Sequence, residues 1–208
     1  MIPASEALAL LREGNRRFVM NQSTAGSSHR ERRLSLVSGQ EPFAIVLGCS
    51  DSRVPAELVF DQGFGDLFVI RVAGNIVAPS QVGSVEFAAA KFDTRLVVVV
   101  GHSQCGAITA TLDELLGKTT TESRNLRSIV DRVRPSVESV LAGRRTEDYS
   151  VLMRDSVRAN VRASTNHLRH GSELLERMIR ENGLRVVGAE YSLDTGVVDF
   201  FDGVDERI

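Results

Sequence analysis

The apolar positions of this chain follow two rhythms. Residues 43–47, 67–71 and 96–100 are short, largely unbroken apolar runs, rich in β-branched and aromatic side chains. Such runs predict strands buried on both faces, as in a parallel sheet. Elsewhere apolar residues recur at helical spacing. Leu8, Leu11 and Phe18 mark a helix over about 5–20, with Ser5 as its cap. Residues 81–91 read as a helix between the second and third strands. After the third strand come three or four helical segments, over 107–116, 126–141, 151–168 and 172–182. A fourth strand is predicted at 185–191. Asp194-Thr195-Gly196 then signals a hairpin into an edge strand at 197–201. The Ser-, Gly-, Asn- and Thr-rich stretch 21–28 predicts a loop. The basic run Arg30-Glu31-Arg32-Arg33 reads as another, solvated one.

Composition narrows the picture. Of 208 residues, 25% are charged and 42% hydrophobic, with 27 acidic against 25 basic side chains. That is ordinary for a globular domain. It speaks against a nucleic-acid partner, which requires a basic surface. No stretch approaches the ~18 consecutive apolar residues of a membrane helix, so no membrane partner is expected. Glu6, Arg12 and Glu13 interrupt the N-terminal apolar residues and leave no signal-peptide core. A cytoplasmic location is the expectation. There the two cysteines serve metal binding or catalysis more readily than a disulfide.

Both cysteines lie in clusters that directly follow strand-like runs: Gly48-Cys49-Ser50-Asp51-Ser52-Arg53-Val54-Pro55 and Gly101-His102-Ser103-Gln104-Cys105-Gly106. In open α/β sheets, sites form beyond the carboxyl ends of strands, where the strand order reverses. If the first and third strands are neighbours, Cys49, His102 and Cys105 converge there. Two thiolates and an imidazole are soft ligands for zinc, and three ligands leave one position open for chemistry. A helix opening at Gly106 would set its positive end beside Cys105 and favour the thiolate. Asp51 and Arg53 follow Cys49 by two and four residues. A bidentate pair between them would hold the carboxylate off the metal; unpaired, Asp51 would become a fourth ligand. Plainer readings stand beside this one: a closed metal staple, or two buried thiols with a core histidine and a loop salt bridge. His29, His167 and His170 belong to no motif and read as surface residues.

The paired motifs Cys-Ser-Asp-Ser-Arg-Val-Pro and Gly-His-Ser-Gln-Cys-Gly resemble those of the β-class carbonic anhydrases. The likeness runs from about Leu8 to Phe201, through Arg71, the Gly74-Asn75 turn and Glu86-Phe87, and favours the plant-like, non-allosteric subclass. It implies reversible hydration of carbon dioxide to bicarbonate and a proton, by attack of zinc-bound hydroxide, with one Zn2+ per chain. By the resemblance, Cys49, His102 and Cys105 are the metal ligands and Asp51 with Arg53 the catalytic dyad. Gln40 matches a glutamine that reaches substrate across a dimer interface, and Phe68, Ala73 and Phe87 match apolar pocket positions. A second subclass builds a non-catalytic bicarbonate pocket around a Trp, an Arg and a Tyr. Arg71 and Tyr191 match two of these, but Val46 stands at the Trp position, so no such pocket is expected.

Pattern and resemblance together predict one α/β domain over 1–208. Its sheet is mostly parallel, in the order 2-1-3-4, with an antiparallel edge strand and helices on both faces. An N-terminal helical arm, 1–35, is expected to serve a homodimer or homotetramer. Carbon disulfide and carbonyl sulfide are isosteres of carbon dioxide, and pocket access rather than the metal ligands would distinguish them as substrates. The four-residue step from Cys49 to Arg53 is too short for the phosphate-cradling loop of a cysteine-dependent phosphatase.

Overall fold

A computed structural model describes residues 1–24, 29–143 and 148–204 of the chain. Among them, β1 (Ala44–Gly48), β2 (Leu67–Arg71), β3 (Leu96–His102), β4 (Arg185–Tyr191) and β5 (Val198–Asp202) form one sheet in the order β2-β1-β3-β4-β5. The first four strands are parallel and β5 is antiparallel to β4, which is the expected architecture and order. β1 and β3 are buried along their whole length, as unbroken apolar runs require. β2, at the sheet edge, is only partly buried.

Helices cover both faces. On one, α1 (Ala4–Val19) and the short α3 (Ala56–Val59) bring Ala7, Leu8, Leu11 and Val59 against Val46, Val98 and Val100. On the other lie α4 (Pro79–Phe92), α7 (Tyr149–His170) and α8 (Glu173–Glu181). Their Val85, Ala88, Val161, Leu168 and Leu175 cover Ile45, Leu47, Val97 and Val99. A Cβ on Gly101 or Gly188 would lie 2.6 or 2.7 Å from the Val161 methyls. Glycine at these strand positions therefore lets α7 settle directly on β3 and β4. A third cluster joins α5 (Gly106–Leu115), α6 (Arg124–Ala142) and α7 around Cys49 and Cys105.

The structure departs from the sequence reading in four places. Pro3, not Ser5, is the N-cap of α1, and it makes no side-chain cap bond. Residues of the predicted basic loop form a short helix, α2 (His29–Ser35). It is pinned by Arg32, which donates to the Phe64 carbonyl (3.0 Å) and to Asp66 (2.8 Å). α3 and a 3-10 turn at Ala73–Asn75 are too short to show a period. α1, within the expected arm, also spends its apolar stripe on its own sheet, a contact that the sequence pattern does not give. Buried Asp61 latches the end of α1, accepting from Arg17 Nε (2.5 Å), Ser23 Oγ (2.5 Å) and the Thr24 amide (2.9 Å). Of the loop predicted over 21–28, residues 25–28 lie outside the described residues.

Glu114 ties α5 to the segment that follows. It accepts from the Thr121 amide (3.0 Å), from Arg127 Nη1 (2.8 Å) and from Arg134. Hydrogen bonds from Thr121 and Arg134, with the Arg127 charge, outweigh desolvation and lower its pKa from 4.5 to about 2. A carboxyl depressed on folding stabilises the folded state above its unfolded pKa, and the contribution fades as pH falls through the folded value. Glu114→Gln is therefore expected to be less stable than the parent at pH 7. The gap in urea midpoints should narrow below pH 4.5 and close near pH 2. A gap that stays constant across that range would contradict the assignment.

Candidate metal centre

β1 and β3 are parallel neighbours, with Gly48 opposite Val100. From β1 the sheet extends one way to β2 and the other way to β3, so their carboxyl ends form the switch point of the sheet. Cys49 is the first residue past β1, His102 the last of β3, and Cys105 the N-cap of α5. One ligand atom from each lies within 4.8 Å of the others, and all three residues are buried. His102 and Cys105 meet through a tight turn in which Gln104 adopts φ 56°. A non-glycine residue in that left-handed region costs about 1–3 kcal/mol and recurs where a site must hold a set shape.

Three observations fit this trio to a soft, four-coordinate metal ion. The sulfurs are 4.0 Å apart, close to the ~3.8 Å edge of a tetrahedron with 2.3 Å metal–sulfur bonds. His102 is fully buried, with Nδ1 2.9 Å from the Ser103 carbonyl oxygen. A carbonyl only accepts, so Nδ1 carries the proton and Nε2 keeps its lone pair. That Nε2 has no hydrogen-bond partner among the described residues, and a buried polar atom left so is rare unless a ligand takes it. Finally, the Gly74 amide donates to Cys49 Sγ (3.4 Å), the kind of contact that steadies a metal-bound thiolate.

Ionisation of one thiol works against ionisation of the other. Cys49 is pushed well below the usual thiol range, chiefly by the hydrogen bond from Cys105, with help from His102 and the Gly74 amide against desolvation. Cys105 is pushed up by the neighbouring sulfur and by burial, while the Ile108 and Ala107 amides at the start of α5 act the other way. One thiolate forms readily. A second needs a cation to compensate it.

Asp51 stands at the edge of the trio, with Oδ2 3.9 Å from His102 Nε2. Arg53 holds it through Nε to Oδ1 (2.9 Å), Nη2 to Oδ2 (2.7 Å) and its backbone amide to Oδ1 (3.0 Å). The Arg53 guanidinium keeps the Asp51 carboxyl well below the usual carboxylate range. Arg71, at the end of β2, donates to the Cys49 carbonyl (2.9 Å) and the Asp51 carbonyl (2.6 Å). It fixes the loop that carries both residues, a role the spacing of residues does not announce. Half-buried Ala73 precedes Gly74 and lies near the trio.

The other expected pocket residues do not join the trio within one chain. Gln40 is exposed and precedes β1, so it sits at the far end of a strand about 17 Å long. Phe68 pairs with Ile45, four residues and about 13 Å of strand short of Cys49. It clusters with Phe87 and Phe92 at ring-centroid distances of 6.1 Å, and Phe87 is 54% exposed. Val46 is buried in β1, and the Tyr191 ring lies 6.5 Å from that of Phe18. His167 and His170 are exposed near the end of α7.

Residues 44–198 match a family model described as carbonic anhydrase. The chain is 38% identical over 186 residues to carbonic anhydrase 2 of Mycobacterium tuberculosis, covering 89% of this chain and 87% of that protein. It is 40% identical over 190 residues to a carbonic anhydrase of Mycolicibacterium smegmatis, covering 91% and 89%. Among solved structures, the β-carbonic anhydrase CafA of Aspergillus fumigatus aligns with a TM-score of 0.76 at 25% identity, over 98% of this chain and 92% of that one. A tetrameric β-carbonic anhydrase from Sordaria macrospora shares the fold, with a TM-score of 0.74 at 23% identity over 95% and 96%.

Titrating the metal-free chain with Co2+ should show one equivalent bound, with a near-ultraviolet thiolate-to-cobalt band. Cys105→Ser and His102→Ala should each weaken binding severely. Full stoichiometry in both variants would place the ion elsewhere.

Proposed function

The chain belongs to the carbonic anhydrase family, in its β class, and on that premise we propose that it carries out the zinc-dependent, reversible hydration of carbon dioxide to bicarbonate and a proton. The observation that carries this reading is the meeting of two thiols, one unpartnered imidazole nitrogen and a clamped carboxylate at the switch point of the sheet. Cys49, His102 and Cys105 would hold one Zn2+ per chain, which would supply the Lewis acidity that makes hydroxide available near neutral pH.

The protein's own part is positioning. The Ser103 carbonyl fixes the His102 tautomer. Arg71 sets the loop and Arg53 sets Asp51. Asp51, ionised and acceptor-only, takes a hydrogen bond from the attacking oxygen nucleophile and aims its lone pair at the substrate carbon. Ala73 forms one wall of a small apolar slot for carbon dioxide. Arg53 occupies both Asp51 oxygens, donating twice to Oδ1 and once to Oδ2, and this pairing favours the open arrangement over one in which Asp51 is a fourth ligand.

Gln40, Phe68 and Phe87 complete the slot from a second copy of the chain. All three lie toward the β2 edge and the amino end of β1, with exposed Leu34, Val37 and Phe64 supplying contact area from the 1–35 arm and its neighbour. A homodimer is thus the smallest active unit, and a homotetramer is compatible with it. Among the described residues no helix is long and apolar enough to cross a membrane. Thiolates kept free for metal suit a reducing, cytoplasmic location.

Stopped-flow indicator assays should show rapid carbon dioxide hydration by the zinc-loaded protein. Asp51→Asn should retain metal and lose roughly 10²-fold in kcat. An inactive zinc-loaded parent at pH 7 to 9 would overturn the reading. Mixing Cys49→Ser with Phe87→Ala tests the composite slot: subunit exchange should restore activity that neither variant has alone. No recovery in proven mixed dimers would confine the site to one chain.

A further inference from the structure

The hydrogen bond from the Gly74 amide to Cys49 Sγ depends on the shape of the turn that carries the amide. Gly74 has φ 70° and Asn75 has φ 42°, two successive residues in the left-handed region, which glycine and asparagine enter more readily than other residues. The turn is wedged against the other thiol's element as well, since a Cβ on Gly74 would lie 2.9 Å from Ala107 Cβ in the first turn of α5. Any shift of the turn is therefore felt at Cys49 and beside Cys105.

What holds the turn comes from α7, 86 and 89 residues away in sequence. Asn160 Nδ2 donates to the Gly74 carbonyl at 2.8 Å, and Ser164 Oγ donates to the Asn75 carbonyl at 3.0 Å. The two side chains lie one helical turn apart on the same face, and both are buried, at 2% and 5% exposure. Neither touches a metal ligand. Both are buried polar residues of α7, and their hydrogen bonds go to these two successive carbonyls.

We infer that Asn160 and Ser164 are positioning residues for the metal centre: through the Gly74–Asn75 turn they aim the amide that steadies the Cys49 thiolate and so set the strength and electronics of the metal–sulfur bond. This rests on the metal reading above. Partners of this outer kind change metal affinity by roughly 10–100-fold when removed. With Asn160 gone, the Gly74 carbonyl loses its donor. The turn can then relax toward ordinary backbone angles, which carries the amide away from the sulfur.

The test compares Asn160→Ala, Asn160→Leu and Ser164→Ala with the parent. Ser156→Ala is the control: it is buried on the same helix, and its Oγ has no partner among the described residues. The readouts are zinc release to a chromophoric chelator, the thiolate-to-cobalt band of the Co2+ form, and kcat against KM. The Asn160 variants should release zinc roughly 10–100-fold faster, shift the cobalt band and lower kcat with little change in KM. Ser164→Ala should do the same to a smaller degree, and Ser156→Ala should do neither. A folded Asn160→Leu with the parent's release rate and cobalt band would overturn the inference. Should the Asn160 variants fail to fold, the same result in Ser164→Ala would overturn it. A parent chain that takes up neither Zn2+ nor Co2+ would instead overturn the metal reading itself.

Discussion

A buried imidazole nitrogen facing two buried sulfurs is the constraint around which this chain is arranged. His102 Nε2 has no hydrogen-bond partner among the described residues, and the Cys49 and Cys105 sulfurs lie against each other and a few backbone amides. Left alone, these groups would be an expensive hole in the core, since a buried polar atom without a partner costs about 1–3 kcal/mol. A cation turns that deficit into a gain, because it both satisfies the lone pair and allows the second thiol to ionise. Local features gather around it: the left-handed Gln104, the consecutive left-handed Gly74 and Asn75, and Arg71 donating to two backbone carbonyls.

The second layer of order is electrostatic. A carboxylate beside a metal has two uses, as ligand or as acceptor, and geometry decides between them. Arg53 decides it here by occupying both Asp51 oxygens. Its guanidinium is half exposed, so solvent screens the charge attraction. What remains is the forked shape, which a lysine would not reproduce. The pair therefore works as a geometric clamp more than as a source of stability.

Much of this was legible in the sequence, and the reasons are local. Strands β1 and β3 announce themselves because both faces are covered, which leaves no polar alternation to confuse the pattern. Cys49, His102 and Cys105 sit within one residue of a strand end or a helix start, so placing the elements placed the ligands. Asp51 and Arg53 are two residues apart and needed no tertiary knowledge. What was missed depends on distance along the chain. The α2 helix is held by Phe64 and Asp66, Asp61 receives Arg17 from another element, and Asn160 reaches Gly74 across 86 residues. No periodicity encodes such pairings. The resemblance assigns Gln40 and, with Ala73, Phe68 and Phe87 to the substrate pocket, and only the register of β2 on β1 reveals how far Phe68 lies from its own Cys49.

That separation joins two problems that look unrelated. β2 is an open sheet edge, and an open edge with exposed aromatic neighbours invites association. Meanwhile the expected pocket residues Phe68 and Phe87 lie well away from the Cys49, His102 and Cys105 cluster of their own chain. An isologous contact uses the same surface twice, once from each copy. If the β2 edge and the amino end of β1 from one copy lie over the strand ends of the other, each edge is covered and each metal centre gains its slot. A single chain solves neither problem, and the proposed two-fold axis would solve both. Assembly and catalysis would then be one property of the chain, and residues far from Cys49 would belong to the site across the interface.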